Sequence, residues 1–203
     1  FDDFTTLNIV GGLTGDLIEQ ECRREGIPFE AFRIEGRSRI NTAVVYTWKN
    51  EMKMINQPGP EMGQAEIDRF LTAFDELVAN SPCDIVLSGS TPRSFLPQHL
   101  IEIIDIAYAR GCRVKVDIGP RWLKAIGGRG LDLIKVNDEE FRQTFGFDSR
   151  EKESTKAFMD ETKTGLLVVT YGKDGAVACD GDRFLEAIFT QTETNIAVGS
   201  GDS

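Results

Sequence analysis

The chain is predicted to be an α/β protein with a mainly parallel central sheet and a small β lid. Helical and extended patterns alternate from residue 64 onward, which is the signature of stacked βαβ units. Residues 32–57 break that rhythm with two β-rich runs and no helix between them. A length of 203 residues with 40% hydrophobic content can bury one sizeable core, so a single main domain is expected.

The elements follow from local patterns. In QAEIDRFLTAFDELVAN, Ile67, Phe70, Leu71, Phe74, Leu77 and Val78 recur at spacings of three and four, giving one apolar helix face. DIVLSG reads as a buried strand. Leu100, Ile103, Ile104 and Ala107 repeat the helical spacing, Gly111 stops that helix, and CRVKVD is the next strand. LDLIKV is extended, Asn137 can cap the short helix DEEFRQTF, residues 149–163 are helical, and LLVVTYG is extended again. Crossovers of this length favour parallel, right-handed connections. The runs FRIEGRSRINTAVVYT and EMKMIN, joined at Trp48-Lys49-Asn50, form a hairpin read as a flap or lid. Alternation with period two puts Arg39 and Asn41 on one face of that hairpin, and a solvated edge strand fits the same spacing.

Composition excludes several function classes. With 33 acidic and 23 basic residues the net charge is -10, which disfavours a broad surface for nucleic acid. No apolar run approaches the roughly 18 residues of a membrane span. No basic-then-apolar leader opens the sequence, and a cytoplasmic location is the expectation. Four cysteines lie far apart without a CxxC pair and read as buried, reduced thiols. His99 is the one histidine, in what looks like the first turn of a surface helix, so imidazole-based triads and metal sites are disfavoured.

Carboxylate chemistry remains, and Gly199-Ser200-Gly201-Asp202 is the most informative segment. Glycines let successive N–H groups converge on an anion, and a helix starting there adds favourable potential. An aspartate beside such a hole could take the proton of an attacking hydroxyl. The same residues also suit a plain glycine turn with Asp202 as a helix cap. GGLTG is not GxGxxG, and no GxxxxGK[ST] occurs, so a bound nucleotide must rest on loops at strand ends.

Eight segments, GGLTGDLIEQECRREGI, GRSRINTAV, NQPGPEM, LSGSTP, the strand end at Asp117, IKVNDEE, VVTYGKDGAV and VGSGDS, occur in the order seen in one family. Through them the chain resembles the ribokinase-like carbohydrate kinases, in the phosphofructokinase B branch that includes 1-phosphofructokinase and tagatose-6-phosphate kinase. The resemblance implies a three-layer α/β/α fold. It makes Asp202 the base and the amides of Gly199, Ser200 and Gly201 the anion hole. Arg39 and Asn41 would reach the substrate phosphate and Ser90 the sugar, although Ser90 also reads as a strand-end turn residue. Lys135, Asn137, Thr170, Gly172, Lys173 and Gly175 would lie on the nucleotide, where glycine allows close approach by a ligand. Glu140, in the NxxE pattern with Asn137, would order Mg²⁺ and water. A helix-capping asparagine beside a solvated glutamate, and a Lys-Asp-Gly hairpin turn, are the simpler readings of those two motifs.

The implied activity is transfer of the γ-phosphate of ATP to a hexose phosphate, fructose 1-phosphate or tagatose 6-phosphate, giving a bisphosphate. The alternatives are a relative acting on an unphosphorylated sugar or nucleoside, and a non-catalytic sugar-phosphate binder. A homodimer through the lid strands is expected from the same resemblance. The family's opening strand with its sugar-binding aspartate, its GGK-like stretch and its helices after GSGD have no counterpart within 1–203. The expectation is therefore a single incomplete kinase domain with a lid hairpin at about 32–57.

Overall fold

The computed structural model describes residues 4–49, 51–79 and 82–188. The chain divides into two compact units, residues 1–77 with Thr91–Leu96, and Val78–Ser90 with 97–203.

In the first unit β1 (Thr6–Val10) passes through Gly11 into α1 (Gly12–Arg24), which returns to β2 (Phe29–Arg33). The two strands pair in parallel, with Thr6 opposite Phe29 and Val10 opposite Arg33. The run read as one hairpin strand from Phe32 is therefore split. Phe32 and Arg33 end β2, residues 34–40 are not strand, and the hairpin consists of β3 (Asn41–Tyr46) and β4 (Glu51–Asn56). The cause is where the backbone bonds go. Ile34 N–H donates to the Val10 carbonyl (3.0 Å) and Ser38 N–H to the Gly11 carbonyl (2.9 Å), so β1 and its glycine turn take the groups a longer hairpin would need. In α2 (Gln64–Val78) the predicted apolar stripe is buried at Ile67, Phe70, Leu71, Phe74 and Val78. Leu77, at the margin of that stripe, is 41% exposed. Phe70 meets Phe32 and Phe95 edge-on, with ring centroids 5.2 and 6.0 Å away.

The second unit carries β5 (Asp84–Gly89), α3 (Pro97–Ala109), β6 (Arg113–Ile118), α4 (Pro120–Ile126), β7 (Leu133–Asn137), α5 (Asp138–Phe145), α6 (Lys152–Thr162), β8 (Leu167–Thr170), β9 (Ala176–Cys179) and β10 (Phe184–Ala187). Its six-stranded sheet runs β10-β9-β8-β7-β6-β5, parallel from β5 to β8 and antiparallel through β9 and β10. The predicted α/β class and mainly parallel sheet are present. Val114, Val116, Ile134, Val136, Leu167 and Val169 form the buried layer of the sheet, and α3 packs on β6 through its predicted apolar face. The crossover helix α4 was not legible as a periodic run. It starts instead at a punctuation signal, with Gly119 as N-cap and Pro120 at the first helical position.

Three surface and burial expectations are corrected. DIVLSG is not a buried strand: β5 stands last in the order of its sheet, four of its six residues are exposed and Val86 is 65% exposed. His99 does lie in the first turn of α3 but is buried, 8% exposed, because that turn faces the same core as Leu100 and Ile103. The cysteines are all free, yet only Cys112 and Cys179 are buried, while Cys83 is exposed. Cys83 and Cys112 precede register partners on β5 and β6, and their sulfurs lie 3.5 Å apart. Among the described residues no helix is long and apolar enough to cross a membrane.

Phe158 on α6 is fully buried against Phe141, Phe145 and Phe147, with centroids at 4.9, 4.7 and 5.7 Å. Phe158→Ala is expected to lower stability by about 3–5 kcal/mol in urea unfolding, and a loss below about 1 kcal/mol would refute its role as the pivot of this cluster. The Cys83 thiol is pushed up to about 11, first by burial of the sulfur and then by its bond to Cys112. Despite its exposure, Cys83 should therefore react with iodoacetamide at pH 8 on the order of 10-fold more slowly than an ordinary cysteine, as read by peptide mapping, since the scarcer thiolate is partly offset by its greater nucleophilicity.

Candidate functional site

The predicted residues fall in both units, and each group is built by its own local rules. In the first unit, Arg39 and Asn41 do not share a strand face, because β3 begins only at Asn41. Arg39 instead lies in a stretch fixed on both sides. Ser38 Oγ accepts from Gly11 N–H (3.1 Å), the Ser38 carbonyl accepts from Thr14 Oγ1 (2.7 Å), and Ile40 N–H donates to Gln57 Oε1 (3.2 Å). Gly11 makes this possible, since a Cβ there would sit 1.9 Å from the Gly36 carbonyl oxygen. The GGLTG turn is thus the seat of the segment that carries Arg39.

In the second unit the parallel register aligns the carboxyl ends of β7 and β8, with Asn137 opposite Thr170 and Lys135 opposite Val168. Such strand ends are where open parallel sheets hold their ligands. Lys135 Nζ is paired with Asp117 Oδ2 at the end of β6 (2.7 Å), a partner the sequence reading marked only as a strand end. Asn137 caps α5. Its Oδ1 accepts from Glu140 N–H (2.8 Å), and the Glu140 carboxylate accepts in return from Asn137 N–H at 3.4 Å. The simpler reading of NxxE is therefore realised, and it leaves Glu140 partly exposed with Oε2 in a long hydrogen bond. Asp138, Glu139 and Glu140 all lie in the first turn of α5. No group of three or more metal-ligating side chains occurs among the described residues. The donor set fits a hydrated Mg²⁺ that uses one carboxylate and otherwise water and phosphate oxygens.

Thr170 leads into the loop predicted on the nucleotide side. Tyr171 N–H bonds the Gly175 carbonyl (2.8 Å) around a single 3₁₀ turn, Gly172–Asp174, and β9 leaves antiparallel, as the hairpin-turn reading requires. The glycines serve different ends. Gly172 has no neighbour within 4 Å of a would-be Cβ, and Lys173 is exposed beside it. Gly175 is buried at φ +105, and its Cβ would lie 1.9 Å from the Ala187 carbonyl oxygen, so the close approach here is by the chain's own backbone. Ser90 follows β5 directly and is exposed. Gly199, Ser200, Gly201 and Asp202 lie outside the described residues.

Between these strand ends lies a cavity of about 270 Å³ lined by Asn137, Asp138, Glu139, Arg150, Thr170 and Tyr171, with Gly172 and Asp174. Sequence reasoning assigned no role to the four residues of one cluster beside it. Tyr171 donates to Ser149 Oγ (2.8 Å), Ser149 donates to Asp138 Oδ1 (2.7 Å), and the Arg150 guanidinium lies 4.1 Å from the centroid of the Tyr171 ring. The Tyr171 phenol is raised above its ordinary value, chiefly by burial, and remains a donor through the neutral range. No motif spacing announces a contact between residues 22 apart in sequence.

The sequence profile of the pfkB family carbohydrate kinases matches residues 3–203. Phosphofructokinase-2 from Escherichia coli in complex with fructose-6-phosphate is similar in structure, with a TM-score of 0.86 and 21% identity over 97% of this chain and 66% of that one. The tetrameric inhibited form of the same enzyme has a TM-score of 0.80 at 22% identity, covering 91% of this chain and 62% of that one. A Thermotoga maritima protein described as a possible 1-phosphofructokinase has a TM-score of 0.73 at 22% identity, covering 88% and 57%. At these identities the likeness is one of fold, and the chain spans less than two thirds of the length of each.

Asn137→Ala deletes the acceptor that caps α5 and is expected to cost about 1 kcal/mol, whereas Asn137→Asp keeps an acceptor and should stay within about 0.5 kcal/mol of the parent. Equal urea midpoints for the two variants would show that the cap does not hold this helix.

Proposed function

The chain belongs to the pfkB family of carbohydrate kinases, and on that footing we propose that it transfers the γ-phosphate of ATP to a hexose phosphate, fructose 1-phosphate or tagatose 6-phosphate, yielding a sugar bisphosphate and ADP. The observation that supports this most is the pairing of Asn137 with Thr170 at adjacent strand ends, both lining one cavity, with Lys135 two residues before Asn137 on the same strand. Those are the positions whose types suit nucleotide phosphates: an ammonium, an amide and a hydroxyl.

In this reading Asp202 takes the proton of the sugar hydroxyl as its oxygen bonds to the γ-phosphorus. The bond from that phosphorus to the bridging oxygen breaks, and ADP leaves with the electron pair. The amides of Gly199, Ser200 and Gly201 hold the charge that develops on the transferred group. Arg39 and Asn41 bind the phosphate the substrate already carries, a task suited to a planar guanidinium held in an anchored segment. Ser90 holds the sugar. Lys135, Asn137, Thr170, Gly172, Lys173 and Gly175 hold ATP, Gly172 by leaving room and Gly175 by shaping the loop. Bound Mg²⁺ would neutralise phosphate charge, and Glu140 would orient its water. The acidic first turn of α5 favours such a cation, because three carboxylates there would otherwise repel a polyphosphate. A homodimer through the lid is part of the proposal, supported by the exposed Met52, Met54 and Ile55 on β4.

A coupled ADP-release assay on the full-length protein tests this across fructose 1-phosphate, tagatose 6-phosphate, fructose 6-phosphate, ribose and nucleosides. Turnover with a hexose phosphate is expected, with kcat reduced by about 10²–10⁴-fold in Asp202→Asn and the sugar-phosphate KM raised roughly 10-fold or more in Arg39→Ala. Turnover with ribose or a nucleoside and with no sugar phosphate would overturn the substrate assignment, and sugar-phosphate binding without ADP release would overturn catalysis.

A further inference from the structure

Tyr171, Ser149 and Asp138 form a directed chain of hydrogen bonds that none of the proposed ligand contacts explains. Its direction follows from chemistry. An ionised carboxylate only accepts, so Ser149 spends its proton on Asp138 and its lone pair receives the Tyr171 hydroxyl. Ser149 is 1% exposed, which makes each bond costly to lose. The chain joins two of the segments that line the cavity. Asp138 directly follows the N-cap Asn137, and Tyr171 directly follows Thr170. The backbone register sets Asn137 opposite Thr170 only as far as the strands run, since both residues are the last of their strands. Beyond that point the side-chain chain takes over. Arg150 covers the free face of the Tyr171 ring, and its own N–H is bonded to Asp148 Oδ1 (2.9 Å), which limits the ring's freedom to swing away.

We propose that Tyr171 and Ser149 are positioning residues for nucleotide binding, holding the loop from Thr170 to Gly175 at a fixed spacing from the first turn of α5. In this assignment they act through Thr170 and Asn137, Ser149 from outside the cavity lining and Tyr171 from its wall. The inference rests on the kinase reading above.

The test is calorimetric titration of the full-length protein with ADP, beside steady-state kinetics for both substrates. Tyr171→Phe keeps the ring and its stacking with Arg150 and removes only the donor, and Ser149→Ala removes the middle link. Each should weaken ADP binding roughly 3–10-fold, with the KM for sugar phosphate within about twofold of the parent and the thermal midpoint lowered by about 2–6 °C, as the loss of a buried hydrogen bond requires. Because both changes cut one chain, the double variant should bind ADP no more weakly than the worse single variant. Unchanged ADP affinity in Tyr171→Phe, additive losses in the double variant, or parallel losses for both substrates would each overturn the positioning role. If the parent itself binds no ADP the kinase reading fails and this inference with it, whereas tight ADP binding by the parent and all variants removes only the inference.

Discussion

The capping of α5 by Asn137 is the constraint on which the second unit's site depends. The first turn of a helix leaves N–H groups that no preceding turn can accept from, and a capping side chain satisfies them at the strand end. Asn137 does so through Glu140 N–H, and the returned bond from Glu140 fixes the carboxylate over the same strand end. The residue that stabilises the fold is therefore also the one that fixes where an amide and a carboxylate stand. The structural reading of NxxE is realised in this geometry, and the proposed ligand role would draw on the same placement.

Neighbouring features extend that constraint outward. Parallel pairing brings Thr170 level with Asn137, and the ion pair of Lys135 with Asp117 ties β7 to β6 at the same edge. Acidic side chains in the first turn of α5 complement the helix dipole in the folded protein. They also make the surface poor for a bare polyphosphate, which in the proposed function gives a cation a physical reason to accompany the nucleotide.

In the first unit, glycine has a comparable role by a different route. Gly11 lets the backbone at Gly36 approach to a distance that any side chain would forbid, and Ser38 then bonds back to the turn. The family resemblance singled out both GGLTG and SRIN, but as separate segments. Their contact is what converts a loop arginine into an anchored one.

Sequence alone determined the class of the fold, the apolar faces of α2 and α3, the cap at Asn137 and the turn before β9, because each depends on residues within a few positions of one another. Periodicity and capping are local properties, and Ile67, Phe70 and Leu100 behave as their spacing requires. Tertiary structure decided the rest. It split the run at Phe32, since β1 competes successfully for backbone groups that a hairpin would have used. It buried His99, set Cys83 against Cys112, and packed Gly175 against the Ala187 carbonyl. It also joined Tyr171 to Ser149 and Asp138. Each of these contacts closes a long loop whose ends carry no shared pattern, so its energy exists only once the sheet has brought the two segments together.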